Sequence, residues 1–226
     1  MTDRGHDGRA PAAGGSPTVR MPGKVARTPF AVSPTPDDGV RLSDRRVWDE
    51  AARPTGPAPE QGRLYTRHEQ ASGRHLIDVH DHLRHELAQV RALMEQVIAG
   101  ATDPATARSE INVLSMRQDA WRLSAYCASY CRVVAAHHTL EDQALFPYLR
   151  RADPRLAPVV DRLEQEHQAI HGVLEEIDRA LVAHMTATDG KDHLRSAVDL
   201  LTDTLLSHLS YEERELVEPL ARLGFI

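Results

Sequence analysis

Three stretches of this chain carry a histidine four residues away from a second side chain that can bind a metal. They are His137 with Glu141 in AAHHTLED, His167 with His171 in EHQAIHGVL, and His208 with Glu212 in SHLSYEERE. A fourth, VHDHLRHEL, places His80 on an apolar helical stripe. Four residues make about one helical turn, so each pair projects from one face of a helix. Imidazole and carboxylate suit iron, manganese and zinc. A lone buried histidine is ordinarily a satisfied core residue. Five His and two Glu converging on one apolar interior would instead be strongly destabilising without a cation to bind them. Glu141 and Glu212 belong to different helices and could bridge two ions, leaving the imidazoles as terminal ligands. Open positions would then remain for a small ligand such as dioxygen, peroxide or nitric oxide.

Other residues border this set. His138 with Asp142 repeats the spacing of His137 with Glu141. The face shared with Val134, Leu145 and Tyr148 favours His137 and Glu141, and the choice between the pairs stays open. His82 and His85 lie off the first stripe and read as solvent-facing. Tyr130, one heptad before His137, is ordinarily a packing residue, but it could donate a hydrogen bond to a bound oxygen species.

Positioning these side chains needs four helices, expected at about 72–99, 105–151, 154–187 and 191–220. Each carries leucines and valines at three- and four-residue spacing. Short connections make neighbours antiparallel, so the expected fold is all-α, an up-down-up-down four-helix bundle over residues 71–226. Residues 1–70 hold 9 of the 14 Pro and 8 of the 13 Gly. That composition predicts a disordered extension, with at most a short helix over 42–52. Trp48 in this arm could dock on the bundle or recognise a protein partner.

Charge divides at the same point. The first 70 residues carry 11 Lys and Arg against 9 Asp and Glu, and the remainder 16 against 24, which together make the net charge of −6. An acidic domain is a poor match for nucleic acid, because phosphate neutralisation supplies most of that affinity. The acidic face reads as solubilising charge. No apolar run is long enough for a membrane span, and the N-terminus lacks a signal-peptide core, so a cytoplasmic protein is expected. Cys127 and Cys131 read as small buried residues rather than a redox pair.

The fragments HDHLRHEL, HHTLEDQALFPYL, EHQAIH and SHLSYEERELVEPL, in this order, resemble the hemerythrin-like (HHE cation-binding) family over about residues 72–220. The resemblance implies a non-haem di-iron centre, two iron ions with an oxo or hydroxo bridge. One ion would take His167, His171 and His208, the other His80 and His137, with Glu141 and Glu212 bridging. One departure stands out. Oxygen-carrying hemerythrins have His-x-x-x-x-Asp on the last helix, whereas this chain has His208-x-x-x-Glu212, similar to bacterial hemerythrin-like and iron-sensing domains. Among the roles the resemblance allows are sensing of oxygen, redox state or iron, a weak peroxidase or catalase activity, and nitric oxide handling. A metal-dependent regulatory module signalling to a partner is the alternative. Ferritin-like proteins need two Glu-x-x-His motifs, and Glu164-x-x-His167 is the one placed on an inward stripe.

Overall fold

The structure, a computed structural model, describes residues 25–102, 110–186 and 190–225. Four long helical arms form the bundle: α1 (Arg67–Thr102), α2 (Glu110–Leu140) continuing through a π-turn (Glu141–Leu145) into α3 (Phe146–Ala152), α4 (Ala157–Thr186) and α5 (Gly190–Leu223). The all-α, up-down-up-down bundle expected from the leucine stripes is the observed architecture. Helix α5 packs against α1 and α4, and α2 against α1 and α4.

Helix α1 starts five residues before the expected Ser72, for a local reason. The Glu69 amide donates to Thr66 Oγ1 at 3.1 Å, and the Thr66 amide donates to Glu69 Oε2 at 2.6 Å. This reciprocal pair satisfies two of the free amides at a helix start. Asp153 plays a related role before α4, where its side chain accepts the Arg155 amide. Helices α1 and α5 approach closely at Gly73, where a Cβ would stand 2.5 Å from the Val217 carbonyl oxygen.

The apolar interior is divided in two. One cluster contains Leu83, Leu87, Met94, Val134, Ile170, Leu201 and Leu205. The other contains Leu76, Ile77, Phe146, Leu149, Leu163, Leu216 and Leu220. His80, His137, Glu141, His167, His208 and Glu212 lie at the junction of the two clusters, so the polar centre is a seam across the bundle. Among the described residues the strands are β1 (Arg27–Thr28) and β2 (Tyr65–Thr66), which pair antiparallel with Arg27 opposite Thr66.

Residues 25–66 differ from the expected disordered arm. Residues 1–24 lie outside the described part, but from Val25 the chain runs as an extended strap against the bundle. Its single helical turn is Glu50–Ala52, in place of the helix expected over 42–52. A segment this rich in Pro and Gly has too few apolar side chains for a core of its own. It borrows partners from α5 instead. The amides of Leu42 and Ser43 donate to Asp203, that of Gly56 to Glu215 at 2.7 Å, and the Tyr65 hydroxyl to Glu218. Val32 is buried in the second cluster, and Trp48 packs on the first. Asp203, Glu213, Glu215 and Glu218 are consequently buried, so this part of the acidic face holds the strap rather than facing water.

Candidate metal centre

Two groups of donors meet in the seam. His80, His137, Glu141 and Glu212 each offer an atom within 4.8 Å of one another, and His138, His167 and His208 do the same. The two carboxylates lie between the groups. Glu141 directs Oε1 at His137 Nε2 (3.2 Å) and Oε2 at His167 Nε2 (3.6 Å). Glu212 Oε2 stands 3.6 Å from both His80 Nε2 and His208 Nε2. His80 and His137 approach each other Nε2 to Nε2 at 3.2 Å, and the His138 and His167 rings stack at 4.0 Å.

Six of the seven side chains expected from the sequence are thus brought together: His80, His137, Glu141, His167, His208 and Glu212. His171 is not among them. Its side chain is 68% exposed and lies 3.5 Å from Glu175 on the surface of α4. The reason is angular. At about 100° per residue, Leu163, Ile170, Leu174 and Ile177 point roughly 50° to one side of His167 while His171 points roughly 40° to the other. The stripe advances from 167 by three residues, to Ile170, and leaves position 171 on the flank.

His138 is buried in its place. The buried positions Leu123, Cys127, Tyr130, Val134 and Glu141 define an inward direction on α2 that roughly bisects His137 and His138. Both histidines therefore reach the seam, one into each donor group. The π-turn that Glu141 opens is closed by the Phe146 amide donating to the Glu141 carbonyl. Its extra residue per turn realigns Leu145, Phe146 and Leu149 with the second core cluster. Asp142 is not in either donor group. Its Oδ1 stands 2.8 Å from His167 Nδ1.

That contact has counterparts. Glu213 Oε1 lies 3.0 Å from His80 Nδ1, and Glu166 Oε2 lies 3.1 Å from His208 Nδ1. A carboxylate accepts the Nδ1 proton, which leaves the Nε2 lone pair bare and aimed into the seam. Sequence reasoning missed Glu166 and Glu213. Their neighbours His167 and Glu212 carried the motif, and no helical spacing links either carboxylate to the histidine it meets on another helix.

The electrostatics favour neutral imidazoles. Burial, then the neighbouring His80, pushes the His137 pKa down to about 3. Burial likewise holds His138 and His208 well below the usual histidine value. Burial and then the adjacent Glu212 raise Glu141 well above the usual carboxylate range. Burial alone would raise Glu213, but hydrogen bonds from His80, the Thr35 amide and Arg84 outweigh it and hold this carboxyl below its ordinary value.

Six buried polar atoms here have no hydrogen-bond partner: Nε2 of His138, His167 and His208, Oε2 of Glu141, and both oxygens of Glu212. Buried side-chain polar atoms are rarely left unsatisfied. Cations lying between the two groups would satisfy all six, and the donor set of nitrogen and oxygen is one that iron, manganese and zinc accept. The residues present fit a metal centre.

Two further expectations concern residues nearby. Tyr130 is buried, but its hydroxyl donates to the Leu83 carbonyl at 3.1 Å, and desolvation raises its pKa. It is a packing residue of the first apolar cluster with its hydroxyl committed to the backbone. Cys127 is buried and Cys131 partly so, both unbonded to each other, with burial raising their thiols to about 12 and about 11. Neither carries the thiolate that redox chemistry needs. Among the described residues, no helix is long and apolar enough to cross a membrane.

The family model of the hemerythrin HHE cation-binding domain matches residues 71–220. No curated protein and no solved structure matches the chain.

Proposed function

The chain belongs to the hemerythrin HHE cation-binding family, and we propose that it holds two iron ions and binds an oxygen-derived small ligand there. The observation that carries this reading is the position of Glu141 and Glu212. Each offers oxygen to both histidine groups, as a bridging carboxylate must. His80, His137 and the two carboxylates would hold one ion. His138, His167 and His208 would hold the other, sharing the same carboxylates. Iron bound this way supplies redox change and open coordination positions for dioxygen, peroxide or nitric oxide.

The chain's own contribution is orientation and exclusion of water. Glu213, Glu166 and Asp142 fix the rings of His80, His208 and His167. The two apolar clusters close the seam from both ends, and His80, His208 and Glu212 are fully buried. A site of this kind admits a ligand of a few atoms, which fits sensing, storage or detoxification of small oxygen species better than turnover of an organic substrate.

Metal content and the optical spectrum of aerobically purified protein, before and after peroxide, test the reading. Two irons per chain with near-ultraviolet charge-transfer bands are expected. Oxygen evolution after peroxide would identify a catalase-type enzyme, and two irons without turnover would identify a sensor or store. One zinc per chain, or no stoichiometric metal, refutes it.

A further inference from the structure

We propose that the strap is an outer positioning layer of the metal centre, Arg53 holding His208 through Glu166 and the Thr35 amide holding His80 through Glu213. The inference rests on the metal-centre reading above. Arg53 lays its guanidinium fork on Glu166, Nε to Oε1 at 2.8 Å and Nη2 to Oε2 at 2.9 Å. Its remaining nitrogen donates to Ser207 Oγ at 2.9 Å, and its plane lies over the rings of Tyr211 (4.7 Å) and Trp48 (5.4 Å). The pair is almost closed to water, with Arg53 6% and Glu166 1% exposed. Bidentate pairing fixes the plane of a carboxylate as well as its charge. Glu166 Oε2 is the same oxygen that meets His208 Nδ1.

At the other donor group, the Thr35 amide donates to Glu213 Oε2 at 2.7 Å, while Oε1 of the same carboxylate meets His80 Nδ1 at 3.0 Å and Arg84 at 2.7 Å. One extended segment thus touches the orienting carboxylate of each donor group, from residues 18 apart in the sequence. Without Arg53, Arg162 still binds Oε1 of Glu166 at 2.8 Å, but Oε2 loses its strap partner and His208 its fixed acceptor. The strap would remain docked, because Asp203, Glu215 and Glu218 hold it elsewhere.

The test uses the full chain. Arg53→Gln removes the fork, and Thr35→Pro removes a single amide proton at a position already flanked by Pro34 and Pro36. Arg45→Gln breaks an exposed strap contact to Glu176 and serves as control. Anaerobic titration with ferrous ion against a chelator should give two tight equivalents for wild type and control. Each of the two test variants should keep one tight equivalent and weaken the other about 10- to 100-fold. The double variant should weaken both. A merely structural strap would lower both equivalents together in each single variant. Thermal melts of the metal-free proteins establish folding, and Arg53→Lys, which keeps the charge without the fork, replaces Arg53→Gln if the latter does not fold. Folded variants that bind both ions like wild type overturn the strap assignment and leave the metal centre standing. A wild type that binds no ferrous ion overturns both.

Discussion

Exchanging the roles of two histidines gives the sharpest test of the site. The family resemblance places His171 among the ligands, whereas the geometry places His138 there. His138→Ala removes one of three imidazoles from the group with His167 and His208. Loss of an orienting partner alone costs about 10- to 100-fold in metal affinity, so loss of a ligand should exceed about 100-fold at that position. The metal-free protein should change far less. Truncating a buried side chain costs about 2–4 kcal/mol in packing, but His138 Nε2 is itself buried without a partner, and removing it recovers about 1–3 kcal/mol. His171→Ala loses an exposed contact to Glu175, worth about 0.3–0.5 kcal/mol, and no ligand. Iron stoichiometry, read by chelator competition together with metal-free melting, separates the two. One iron for His138→Ala and two for His171→Ala are expected. The opposite result would mean that α4 is rotated by most of a quarter turn about its axis, and would refute the angular argument.

Three other outcomes follow from the geometry. Gly73→Ala places a Cβ 2.5 Å from the Val217 carbonyl oxygen; backbone must move, so denaturant unfolding should show a loss of about 1–3 kcal/mol. Tyr130→Phe should cost about 1 kcal/mol for the hydrogen bond to Leu83, while metal content and spectrum stay unchanged; a changed spectrum would return Tyr130 to the site. Acid should destabilise the metal-free protein. His137, His138 and His208 resist protonation when folded, so below about pH 6.5 the unfolded chain takes up protons that the fold refuses, and stability falls. Glu141 opposes this, since its raised pKa makes the fold retain a proton that the unfolded chain releases above about pH 4.5. Three histidines against one carboxyl give a slope of about 2.7 kcal/mol per pH unit between about pH 5 and 6. Urea unfolding across that range checks it, and a flat or inverted profile would contradict neutral buried histidines.

Much of this was legible in the residues themselves. Leucine periodicity is a local property, and the bundle, its four arms and the inward direction of His80, His167, His208 and Glu212 follow from it. So does the one-turn pairing of His137 with Glu141 and of His208 with Glu212. The choice of His138 over His171 was nearly legible. On α2 the buried Cys127 turns the inward face toward the bisector of His137 and His138, and on α4 the stripe through Ile170 and Leu174 leaves His171 on the flank. The strap was not legible, because a Pro- and Gly-rich segment has no periodicity that announces a partner. Its amides satisfy carboxylates up to 178 residues away, as with Thr35 and Glu213. Glu213 and Glu166, which orient His80 and His208, were hidden because each meets a histidine on another helix. Sequence by itself determined which faces turn inward, since helical geometry repeats along the chain. Tertiary structure alone decided which charges meet across helices, since those contacts depend on how the arms are rotated against one another and on where the strap lies.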